Sequence, residues 1–128
     1  NCDTQRNLND IGRQQAKKIG TFFKENNIIV NEIYSSEWCR CKETAQIAFN
    51  RYEKKNFLNS FFSSKFFKNK DSQIIKLKKF IKDHDNKKNI IFLTHYVVIN
   101  ETLNYSPNSG EIIVIDKNYN ILGNLITD

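Results

Sequence analysis

Residues 33–49 read IYSSEWCRCKETAQIAF, and how this stretch is parsed decides the fold. The apolar residues of IIVNEIY (28–34) suit a strand, which breaks at Ser35–Ser36. Trp38, Cys41, Ala45 and Ala48 then recur at three- and four-residue spacing, the period of one buried helix face. Ser36 is placed to cap that helix, and Glu37 suits its positive end. A strand feeding directly into a helix therefore carries the polar cluster SSEWCR. Three readings of that cluster compete: a metal or redox site on the C-x-C, a buried packing element, or a catalytic arginine held at a strand end.

The cysteines favour packing over metal. The chain holds three (Cys2, Cys39, Cys41) and only two histidines, His84 and His95, so a structural zinc site is not expected. Two positions apart on a helix, Cys39 and Cys41 point in different directions and are not expected to bond each other. Buried free thiols are the ordinary expectation. Pairing of Cys2 with one of the others stays open and would suit an exported protein.

The same alternation extends along the chain. Asn9 or Asp10 can cap a helix to about residue 26, with Gly12, Ala16, Ile19, Gly20 and Phe23 on one face. Residues 51–70 (RYEKKNFLNSFFSSKFFKNK) have no clean period and read as a long aromatic loop that shapes specificity. Asp71 starts a third helix through about Asp83, with Ile74, Leu77 and Ile81 facing the core. NIIFLTH (89–95) has the unbroken apolar centre of a strand covered on both faces, and YVVINETLN follows as a short helix. EIIVID and NILGNLIT pair around the KNYN turn. Helices alternating with buried strands indicate a single α/β layered domain over residues 1–128.

Composition bounds the function. An apolar share of 39% in 128 residues builds a core and excludes a disordered chain. No apolar run reaches the roughly 18 residues of a membrane-spanning helix. The net charge of +6 comes mostly from lysines scattered over the sequence, Lys17, Lys42, Lys65 and Lys87 among them. Without a basic block or motif, the charge points to an anionic small substrate or to solubility, and a nucleic-acid partner is not expected. Localisation stays open between cytoplasm and periplasm.

In α/β sheets ligands sit outside the carboxyl ends of the strands. SSEWCR and the TH of LTH both fall at such ends, so Arg40 and His95 can share one site across 55 positions. An arginine beside a helix amino terminus binds a phosphate dianion through two guanidinium donors and free N–H groups. A histidine in the same crevice can donate a further hydrogen bond or act on phosphorus.

Taken in order, NCDTQRNL, LNDIGRQQAKKIG, IYSSEWCRCKETAQIAF, IIFLTHYVVI and SGEIIVI resemble the histidine phosphatase (phosphoglycerate-mutase-like) superfamily. They are most similar to its bacterial branch with a D-C-S-T-Q-R-N-L type segment. The resemblance implies a three-layer α/β fold, a mostly parallel central sheet with helices on both faces. It implies a phosphatase that hydrolyses phosphomonoesters through a phosphohistidine intermediate, without metal or other cofactor. Arg40 becomes the second phosphate-clamping arginine, His95 the second pocket histidine, and Arg6 a contributor near the mouth. The substrate it implies is a phosphorylated small molecule or a phosphoprotein.

One part of the pattern has no counterpart here. The family nucleophile is a histidine in an Arg-His-Gly or Arg-His-Ala motif ending the first strand, and no such motif occurs in residues 1–128. The sheet is therefore expected to lack that strand, the chain to be an amino-terminally truncated domain, inactive as it stands, and the nucleophile to lie upstream. His84, in KDHDNKK, fits no catalytic role, and Glu37 and Glu101 are the candidates for the general acid. A buried strand with about four large apolar side chains contributes roughly 6 to 12 kcal/mol, so strands left unpaired by its loss are expected to associate with another chain. The reading from a different class is a non-catalytic phospholigand-binding module.

Overall fold

A computed structural model describes residues 1–127, apart from the Ser64 side chain. It is an α/β domain whose parallel three-stranded sheet is flanked by helices. The first long element, α1 (Asp10–Glu25), starts where Asn9 accepts from the Gly12 amide at 2.9 Å. It packs on α2 (Cys39–Phe49), and a glycine makes the approach possible: a Cβ on Gly20 would lie 2.5 Å from the Ala48 carbonyl oxygen. Gly20→Ala should therefore cost about 1–3 kcal/mol by forcing the helices apart. Gly12→Ala, whose Cβ would meet the movable end of Leu8 at 3.0 Å, is the control. It should be neutral or stabilising by up to about 1 kcal/mol in urea denaturation.

Strand β1 (Glu32–Ser35) lies at the centre of the sheet, between β2 (Glu53–Lys54) and β3 (Ile90–Leu93), parallel to both. Its register sets Ser35 opposite Leu93, so the segments after both strands emerge side by side. Tyr34 faces a core cluster with Phe57, Leu58, Phe61, Leu77, Ile81 and Val98. By the period of two, Ile33 and Ser35 face the opposite side, where α2 contacts β1 and β3.

Residues 51–70 depart from the expected loop. They contain β2, a 3-10 turn at Asn56–Leu58 and α3 (Ser64–Phe67), and they deliver Phe57, Leu58 and Phe61 to the core. The reason is backbone satisfaction. A buried irregular segment needs side-chain partners for its carbonyls. Gln73 Nε2 donates to the Phe57 and Asn59 carbonyls at 3.4 and 2.8 Å, and Thr94 Oγ1 donates to that of Leu58 at 2.6 Å.

Helix α4 (Lys70–Lys82) buries Leu77 and Ile81 as expected, together with Gln73. Helix α5 (Tyr96–Leu103) follows β3 directly. Strands β4 (Glu111–Ile115) and β5 (Ile121–Ile126) form the expected antiparallel hairpin, but as a separate sheet. That separation corrects the expectation for β3. Its outer edge has no strand partner among the described residues, and all four of its residues are only half-buried. On the hairpin Val114, Ile121, Leu122 and Ile126 are exposed.

Two further expectations change. Helix α2 begins at Cys39, not beside Ser36, and Trp38 gives it no side-chain cap; Ser36 Oγ instead accepts from the Trp38 amide at 3.1 Å. The cysteines divide: Cys2 and Cys39 form a disulfide, and Cys41 alone is the buried free thiol. No described helix is long and apolar enough to cross a membrane.

Candidate functional site

The site lies where β1 and β3 end. Beyond Ser35 the chain turns through Ser36–Trp38 into α2, which sets Arg40 in its first turn; beyond Leu93, Thr94–His95 leads into α5. Parallel pairing in register brings these two exits together, and Arg40 Nη2 lies 2.9 Å from His95 Nδ1. A cavity of about 360 Å³ opens on this pair, walled by Trp38, Phe62, Tyr96 and Val97, with Ser60 and Ser63 at its side. The Trp38 ring stacks under the guanidinium at 5.4 Å and meets the His95 ring edge-on.

A guanidinium only donates, so the partnership fixes the histidine's tautomer. Nδ1 must be the acceptor, and the proton sits on Nε2, which donates to Ser36 Oγ at 2.8 Å. The chain of bonds continues outward: Ser36 Oγ donates to Asn59 Oδ1 at 3.1 Å, and Asn59 also takes the Glu37 amide at 2.8 Å. Gln73 holds the Asn59 backbone. Each member of this chain has a partner, and that orients the imidazole without strain.

Burial, and then the Arg40 charge, hold His95 well below its ordinary 6.5, at about 4. It is neutral at physiological pH. Burial likewise pushes the Cys41 thiol up to about 11, against Arg40 and Ser36, which favour the thiolate; Cys41 is unreactive packing 3.7 Å from His95 Nε2. The His95 shift has a consequence for stability. Its folded value lies below the unfolded one, so between pH 6.5 and 4 the unfolded chain takes up a proton that the folded chain refuses. Stability should fall by about 3 kcal/mol across that window. His95→Gln should lack this part of the fall, as measured by urea denaturation at stepped pH.

The cavity suits an oxyanion. Arg40 supplies a fixed positive charge, and Tyr96 and Val97 are the first residues of α5, whose amide N–H groups take no partner among the described residues. A dianion entering here would raise the proton affinity of His95 and turn its ring into a double donor.

Residues 2–57 match the family model of the histidine phosphatase superfamily, branch 1. The structure of the protein histidine phosphatase SixA complexed with tungstate superposes with a TM-score of 0.74 at 10% identity, over 95% of this chain and 85% of that one. The family match spans under half of the chain, and the likeness to SixA at this identity is one of fold. TTHB049 from Thermus thermophilus is similar with a TM-score of 0.67 and 15% identity, over 98% of this chain and 84% of that one. Rv3214 from Mycobacterium tuberculosis gives 0.56 and 16%, over 78% and 68%. At these identities the structures carry the phosphoglycerate-mutase-like fold. No curated protein matches. The span matching the superfamily model holds Arg6 and Arg40, and His95 lies beyond it.

The other residues singled out in the sequence fall elsewhere. Arg6 is exposed; its backbone carbonyl takes a long contact of 3.5 Å from Arg40 Nη1, and its side chain does not line the cavity. Glu37 bonds to Asn59 Nδ2 and Glu101 pairs with Lys70 at 3.2 Å, and neither lines the cavity. His84 packs against Tyr34 and Phe80 and reaches Glu32, at the amino end of β1, opposite the site. Sequence reasoning missed Asn59 and Gln73. Both sit among residues whose local pattern gives no sign that they buttress Ser36.

Proposed function

We propose that the whole protein is a phosphatase that hydrolyses phosphomonoesters through a phosphohistidine intermediate. Arg40 clamps the phosphoryl oxygens, and His95, protonated as the dianion binds, stabilises the transferred group. The observation that carries this reading is the Arg40–His95 contact on the floor of a cavity at the strand ends. In this reading the nucleophilic histidine comes from a segment outside residues 1–128, on a strand that adds to the free edge of β3. These residues alone are then inactive, and self-association through that edge is the alternative fate of the unpaired strand. The substrate is a phosphorylated small molecule or a phosphoprotein; the second is supported by the fold shared with a protein histidine phosphatase.

A second reading, a phospholigand-binding module without turnover, is favoured by one observation. Among the described residues His95 is the one histidine on the cavity, and no carboxylate lines it. Phosphate release from p-nitrophenyl phosphate by the whole protein separates the two. Turnover supports the phosphatase, and saturable phosphate binding without turnover supports the module.

A further inference from the structure

The amino-terminal segment 1–7 buries no residue in its 3-10 turn (Cys2–Thr4), yet it crosses the start of α2, next to Arg40. Three contacts hold it there. The Cys2–Cys39 disulfide ties it to the first residue of α2 across 37 positions. Gln5 Oε1 accepts from the Cys39 amide at 2.7 Å, doing for α2 what its N-cap residue Trp38 does not. The Arg6 carbonyl takes the long contact from Arg40 Nη1. The turn buries no residue, so among the described residues the disulfide is the segment's principal tie to α2.

We propose that the Cys2–Cys39 disulfide is a redox latch that aligns Arg40 by clamping residues 2–6 over the amino end of α2. The inference rests on Arg40 being the phosphate clamp. Cys2 is exposed and Cys39 half-buried, so the bond is open to a dithiol reductant. Reduction breaks the Sγ–Sγ bond, each sulfur gaining one electron and one proton, while the reductant's two thiols close into a disulfide. The buried Cys41 lies two residues along α2 and stays outside the exchange, because burial keeps it a thiol. Release of Cys2 then frees Gln5 and Arg6 together, leaving the Cys39 amide uncapped and Arg40 without its second tether. Cys39 and Arg40 are adjacent in one helical turn, so the redox state of the first sets the order of the second.

The test measures inorganic phosphate affinity by calorimetry on the whole protein, oxidised, reduced by a dithiol, and as Cys2→Ser. Hydrogen exchange of residues 2–7 and of β1 is followed in parallel. The oxidised form should bind phosphate about tenfold more tightly than the reduced form or Cys2→Ser. Residues 2–7 should lose protection on reduction while β1 keeps it. Gln5→Ala in the oxidised protein keeps the bond and removes the cap, so it should fall between the two; this variant decides the matter if reduction unfolds the core. Equal affinity in oxidised and reduced forms overturns the latch and leaves the clamp intact. Phosphate binding absent from the oxidised form removes the clamp reading, and the latch with it. Peptide mapping that pairs Cys2 with Cys41, or finds three free thiols after air oxidation, also overturns the latch.

Discussion

Arg40→Ala should lower phosphomonoester turnover by the whole protein about 100- to 1,000-fold, the loss expected when one preorganised donor to a developing oxyanion is removed. The geometry makes the residue hard to replace. The guanidinium lies over the Trp38 ring, with one nitrogen on His95 Nδ1 and another reaching toward the Arg6 carbonyl. A lysine offers a point charge without this planar fork, so Arg40→Lys should recover little of the activity. The substitution also has a signature that a merely structural role would not produce. Without the adjacent charge, His95 keeps only the effect of burial, and its proton affinity should move back toward the ordinary value. Changes at Cys41, which is buried behind the pair, should cost less activity than Arg40→Ala. Steady-state kinetics with p-nitrophenyl phosphate, checked against folding by circular dichroism, decide this.

Leu58→Ala should destabilise the domain by about 3 kcal/mol, a large share of a net stability of about 5–15 kcal/mol. Leu58 is fully buried at the centre of a cluster drawn from β1, α4 and α5. Its backbone carbonyl is held by Thr94, next to His95, so the substitution should also loosen the site. Phe62→Ala is the informative contrast within the same segment. Phe62 is 81% exposed and lines the cavity, so its loss should leave stability within about 0.5 kcal/mol while weakening substrate affinity. Urea denaturation of both variants measures the difference. If Phe62 proved the stabilising residue and Leu58 the neutral one, residues 51–70 would be the surface loop that their composition suggests.

The contrast between these neighbours marks where sequence reading works in this chain. Local chemistry was legible: Asn9 caps α1, Gly20 lies on its buried face, and a strand leading into a helix sets Arg40 in a first turn, although the strand spans only Glu32–Ser35 and the expected Ile28 and Ile29 lie exposed before it. The meeting of Arg40 with His95 was legible too, because both follow strands and parallel strands align their ends. Residues 51–70 were not, since a segment that enters the core through a turn shows aromatic content without period. Leu58 and Phe62 look alike until Gln73 and Thr94 are seen to hold the backbone carbonyls of residues 57–59. The Cys2–Cys39 pairing depends on how the amino-terminal segment lies over α2, which no local pattern encodes. The apolar run of β3 correctly signalled a strand but overstated its burial, because a strand's edge partner lies outside its own sequence.

The most direct test of the Arg40–His95 phosphate cradle is a nitrogen-15 NMR titration of the His95 ring with and without inorganic phosphate. Without phosphate the ring should be the neutral Nε2–H tautomer, gaining its second proton only near pH 4. With phosphate the same resonance should show a doubly protonated ring at a clearly higher pH, and Arg40→Ala should abolish the difference. A His95 titration that phosphate leaves unchanged, in a folded protein at saturating phosphate, would contradict the cradle.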